Sequence, residues 1–91
     1  MKKPEKIRIL GQWAKVQYVD LTKGGEAVGE VLYGDCDVAT RTIRIEKSLD
    51  DNLTKRVIKH ETMHMKLGLS GLSEILTDEQ EEAICVLVES D

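Results

Sequence analysis

The chain has no run of eighteen consecutive apolar residues, so no segment reads as a membrane-crossing helix. It has no excess of positive charge. Thirteen Lys and Arg stand against seventeen Asp and Glu, a net charge of −4. That argues against a general nucleic-acid binder, although a local basic patch is compatible with it. There is no CxxC pair: Cys36 and Cys85 are far apart in sequence. The first ten residues carry lysines, and their short apolar island is broken by Arg8, which is not a signal-peptide pattern. A cytoplasmic protein with both thiols reduced is the expectation. The single proline, Pro4, lies in a polar stretch, residues 1–6, expected to be a loose end. No internal repeat is present, and 91 residues leave no room for a second core. A single domain over 1–91 follows.

Histidine is nearly absent too, but its two copies are placed tellingly. They are His60 and His64, within His60-Glu61-Thr62-Met63-His64, an HExxH pattern. Two histidines placed at random in such a chain would be four apart in roughly one arrangement in fifty, and a glutamate at the second position lowers this to about one in four hundred. Residues four apart share one helix face, so both imidazoles can reach one metal ion. Glu61, about 100° further round the helix, is placed to take a proton from a water at that ion. On a helical projection Leu53, Val57, Glu61, His64 and Leu67 fall on one stripe with His60. Lys55, Lys59, Thr62 and Lys66 fall opposite. Imidazoles on a core-facing stripe need partners, because burying polar groups unpaired is costly. A shared Zn2+ would supply one.

The rest of the chain reads as strands followed by two helices. Ile7–Leu10 is a short apolar piece that could begin a strand. Trp13–Leu21 alternates, with Ala14, Val16 and Tyr18 to one side. Thr22–Gly25 is a turn, and Ala27–Tyr33 is a second strand candidate interrupted by Gly29. Gly34–Asp37 reads as a loop. Thr42–Glu46 alternates clearly, and its charged side suggests a sheet edge. The main helix runs from about Asn52 to Leu67, capped by Asp50 or Asp51 and stopped at Gly68. Leu69–Leu76 reads as a loop or a broken turn carrying some apolar side chains. Thr77 and Gln80 form a capping box for a second helix to Glu89, whose apolar stripe is Ile84, Leu87 and Val88. The expected architecture is α+β: a small three-stranded antiparallel sheet, the HExxH helix and a C-terminal helix packed on it.

A third metal ligand must be a carboxylate, since no third histidine exists. Glu81 shares a face with Ile84, Cys85 and Val88, which makes it the first choice, with Glu82 second. Cys85, in an apolar run, reads as core.

With its Leu/Gly/Ser loop after HExxH and the acidic start Asp78-Glu79-Gln80-Glu81-Glu82, the chain resembles small phage and mobile-element metallopeptidases. These are near the ImmA/IrrE-like peptidases, within the gluzincin-type zincins. The resemblance covers about residues 30 to 91. It implies zinc held by His60, His64 and Glu81 or Glu82, Glu61 as general base, and cleavage of a peptide or protein substrate. It also implies that substrate lies along an edge strand, here Thr42, Ile43, Arg44 and Ile45. Tyr18 and Tyr33 are oxyanion-donor candidates by residue type alone. A metal-stabilised binding or regulatory module with little hydrolysis is the alternative. Neither reading calls for a nucleic acid or a membrane.

Overall fold

The computed structural model describes residues 3–21 and 33–90. The turn at 22–25 and the strand expected from residue 27 lie outside them, apart from Tyr33, which belongs to no strand. Four strands, β1 Lys6–Ile9, β2 Gln12–Val19, β3 Gly34–Asp37 and β4 Thr42–Glu46, precede two helices, α1 Asp51–Ser70 and α2 Asp78–Glu89. Among the described residues the fold is α+β, with a four-stranded mixed sheet in place of the expected three-stranded antiparallel one. Its order is β1-β2-β4-β3, with β2 and β4 parallel and the outer pairs antiparallel.

Strands β1 and β2 form a two-residue hairpin. Leu10 and Gly11 both take positive φ, 48° and 77°, as a turn matched to the strand twist requires. The N-terminal residues expected to be loose are tied down from Pro4 on. The Pro4 carbonyl accepts the Tyr18 hydroxyl at 2.6 Å and the Glu5 carbonyl accepts Val16 N–H at 2.9 Å.

The expectation that Thr42–Glu46 is an edge strand is overturned. β4 lies between β2 and β3, and Ile43 and Ile45 are fully buried. The error has a clear physical source: alternating charge reports that one face of a strand meets water, and says nothing about its lateral neighbours. β3 is the edge. Its Gly and Asp residues favour loops over strands, yet each has a place. Asp35 forms a bidentate ion pair with Arg44 opposite it. At Gly34 a Cβ would sit 2.5 Å from Val57 Cγ1 on α1, so only glycine lets strand and helix approach this closely.

The inner face of the sheet supplies Ile9, Ala14, Val16, Ile43 and Ile45, and α1 covers them with Met65. Glu46, buried at the end of β4, accepts the backbone N–H groups of Leu21 and Ser48, both at 2.8 Å, and the Ser48 hydroxyl. Those bonds offset the cost of burying a carboxylate. They also tie the ends of β2 and β4 to the turn that leads into α1.

Asp50 caps α1 by accepting Leu53 N–H at 2.8 Å. The helix does not stop at Gly68. It continues to Ser70 and ends at Gly71, which takes φ 84°, the left-handed conformation that terminates helices. Gly68 is instead a packing glycine, because a Cβ there would meet Val38 Cγ2 at 2.6 Å. Of the loop or broken turn expected here, the structure forms a short 3-10 turn, Leu72–Glu74. The Thr77–Gln80 capping box then starts α2, with both reciprocal bonds formed, and α2 packs on α1. No helix among the described residues is long and apolar enough to cross a membrane.

Candidate metal centre

Helix periodicity brings His60 and His64 to one side of α1, with ring centroids 4.9 Å apart. α2 presents four polar groups to that side: Glu81, Glu82, Cys85 and Glu89. Glu81 Oε2 lies 2.6 Å from His64 Nδ1, and Glu89 Oε1 lies 2.7 Å from His60 Nδ1. The remaining nitrogens converge on one carboxylate. His60 Nε2 is 3.0 Å from Glu82 Oε1, and His64 Nε2 is 3.1 Å from Glu82 Oε2.

This pattern assigns roles. An ionised carboxylate only accepts hydrogen bonds. Glu81 and Glu89 therefore hold the proton on each Nδ1, which turns each Nε2 lone pair toward Glu82. A lone pair facing a carboxylate at that distance is repulsive unless the imidazole carries a second proton or a cation lies between. Tetrahedral zinc with N and O ligands at about 2.0–2.1 Å places those atoms about 3.3 Å apart. The Nε2–Glu82 separations are close to this spacing. Carboxylates on the far nitrogen of a metal-bound histidine are the usual means of orienting the ring. The donor set fits zinc, which His60, His64 and Glu82 would hold with Glu81 and Glu89 as orienting partners. Both glutamates named from the sequence lie against the imidazoles, and the ring geometry favours Glu82, the second choice, over Glu81 as the ligand.

Glu81 is held by two further elements. The Ser73 hydroxyl of the 3-10 turn donates to it. That bond, followed by the one to His64, lowers its carboxyl pKa below the usual value. Arg56 Nη2 stands 3.6 Å from Glu89.

Glu61 is 8% exposed and has no hydrogen-bond partner among the described residues. Burial pushes its carboxyl above the usual value, against the pull of His64 and His60. Gly34 of the edge strand lies over it, where a Cβ would be 3.3 Å from Glu61 Cγ. A cleft of about 990 Å³ opens here, lined by His60, Glu61, His64 and Glu82 on the helices and by Asp35 and Cys36 on β3. A buried carboxylate with no partner, facing a cleft beside two convergent imidazoles, is placed to accept a proton from water held there.

Cys85 is fully buried, as expected, but it also adjoins the site. One donor atom from each of His60, His64 and Cys85 lies within 4.8 Å of the others. Burial, then the charges of Glu82, Glu81 and Glu61, push its thiol up to about 12. The half-buried Cys36 is likewise raised to about 12, by burial and then by Glu61 and other nearby carboxylates.

Glu89 was not anticipated as a site feature, and Cys85, though placed on the Glu81 face, was read only as core. A signal for both existed, since Glu82, Cys85 and Glu89 are spaced three and seven apart and share a helix face. It was obscured by taking the apolar residues of α2 as its inner stripe. Leu87, read as part of that stripe, is 73% exposed. Of the oxyanion candidates, Tyr18 gives its hydroxyl to Pro4, whereas Tyr33 lines a second, smaller pocket of about 320 Å³ beside His60, Glu61 and Glu82. Thr42, Ile43, Arg44 and Ile45 lie in an interior strand, and β3 borders the centre in their place.

Comparison with protein-family models, curated proteins and solved structures finds no match to this chain.

Proposed function

We propose that this protein is a zinc-dependent peptidase of zincin type acting in the cytoplasm. The observation that carries the reading is the convergence of both Nε2 atoms on the Glu82 carboxylate, with an unpartnered, buried Glu61 beside them. Zinc in such a site acidifies water and polarises a carbonyl. Glu61 takes the water's proton and later delivers it to the departing amine. Glu81 and Glu89 keep the imidazoles in the tautomer that offers Nε2. An extended peptide would run along β3, Gly34–Asp37, whose outer side pairs with no strand among the described residues; main-chain bonds made by strand addition supply affinity with little sequence demand.

The proximity of Cys85 favours one alternative. If its thiolate completed a four-ligand set with His60, His64 and Glu82, the centre would be closed and structural, and the protein a metal-stabilised binding module. Incubating the zinc-loaded protein with a random peptide library, with and without chelator, separates the two. Chelator-sensitive cleavage supports the peptidase. No cleavage by a stoichiometrically loaded protein, together with loss of zinc in Cys85→Ala, supports the closed site.

A further inference from the structure

The sheet face turned away from the helices carries an arrangement that the metal centre does not use. Lys6 and Lys15 are direct cross-strand partners there, and Arg8 is the partner of Trp13. Like charges set opposite each other destabilise a strand pair. No ion pair to a carboxylate of the described residues offsets them: Asp35 and Asp37 lie on β3, where Arg44 engages Asp35, and Glu46, at the far end of β4, accepts from Leu21 and Ser48. Arg41 adds a fourth cation at the border, its guanidinium donating at 3.0 Å to the neutral Gln12. At the centre is Trp13, 52% exposed, with Lys6 Nζ 4.6 Å and Arg8 Cζ 5.5 Å from its ring centroid. On a chain of net charge −4, the cations of β1 and β2 are thus gathered around the one tryptophan. The ring offsets part of the repulsion through its contacts with Lys6 and Arg8, but a like-charge pair set beside a half-exposed tryptophan is the kind of local rule-breaking that proteins keep at functional sites.

We propose that this face binds single-stranded nucleic acid, with a base stacked on Trp13 and phosphates on Lys6, Arg8, Lys15 and Arg41. Cations bordering an exposed aromatic ring on a flat sheet are the elements from which sequence-tolerant single-strand binding is built. An acidic peptide could reach the charges along the outer side of β1, which pairs with no strand among the described residues, but it brings no flat ring to stack on Trp13, and the stacking surface is what favours a base. Trp13 and Lys15 sit on β2, whose two sides are already paired with β1 and β4.

Trp13 is the only tryptophan in the chain, so its fluorescence reports on this face directly. The intact protein is titrated with an oligothymidylate of about ten nucleotides at low salt. Saturable quenching is expected, with log affinity falling against log salt at a slope of about −2 to −3, as three or four phosphate contacts imply. Lys6→Gln/Lys15→Gln should weaken binding at least tenfold while unfolding no more easily than wild type, because it removes a repulsive pair. Trp13→Ala, followed by the anisotropy of a labelled oligonucleotide, should weaken binding about fivefold or more. Absence of binding overturns the proposal, as does binding unchanged by these substitutions. A polyglutamate peptide of equal charge that binds as tightly also overturns it, and makes the face a docking site for acidic protein.

Discussion

Glu81 occupies the Nδ1 side of His64 at 2.6 Å, while Glu82 lies 3.1 Å from Nε2 of the same ring. Two adjacent residues of one helix thus meet opposite nitrogens of one imidazole. On the proposed function Glu81 would orient the ring and Glu82 would be the ligand.

The order of effects follows. Glu82→Ala should lower zinc affinity by more than two orders of magnitude, whereas Glu81→Ala and Glu89→Ala should each cost about 10–100-fold, as loss of an orienting partner does. Competition against a chromophoric chelator measures all three. A larger loss in Glu81→Ala would return the ligand role to Glu81.

Glu61→Gln keeps the side chain's size and removes its basicity. It should retain stoichiometric zinc and lose about 10²–10⁴-fold in peptide hydrolysis. Undiminished turnover by this variant would remove Glu61 from the mechanism.

Gly68 sets helix propensity against packing. Alanine is the better helix former by about 0.8–1.0 kcal/mol, but its Cβ would meet Val38 Cγ2 at 2.6 Å, and overpacking costs about 1–3 kcal/mol. Gly68→Ala should therefore destabilise the wild-type protein and stabilise a Val38→Ala background. Urea denaturation of the four members of this cycle checks it, and additivity of the two changes would refute the contact.

Tyr18 gives a pH signature. Burial, then Glu5, raises its hydroxyl above 10.0. A group whose pKa is raised on folding contributes stability that is complete below the unfolded value and is lost as pH rises through the folded one. The wild-type protein should thus lose stability above about pH 10 relative to Tyr18→Phe, and the two should run parallel at lower pH. Chemical denaturation at pH 8 and pH 11 distinguishes this from an equal loss in both proteins.

Several features were legible in the residues themselves because they depend on neighbours within one helical turn. His60, Glu61 and His64 share a side of α1 by periodicity alone. Asp50 caps α1, and Thr77 with Gln80 starts α2, through side chains reaching backbone two or three residues away. The alternation of Ile43 and Ile45 places β4 as a strand with one buried face. Everything that depended on which segment lies beside which was decided by the tertiary structure. β4 is interior because β3, poor in strand-forming residues, is accepted as the edge through the Gly34–Val57 approach and the Asp35–Arg44 pair. Gly68 packs against Val38 instead of ending the helix, since Val38 is thirty positions earlier and adjacent only after folding. The choice between Glu81 and Glu82 turns on which imidazole nitrogen each one meets. That depends on the rotation of α2 against α1, and consecutive residues differ by about 100° in direction. Lys6 and Lys15 become a repulsive pair only once the hairpin register is set. Local periodicity carries the direction of a side chain relative to its own element. The partner it meets depends on packing between elements distant in sequence, and no short window contains both.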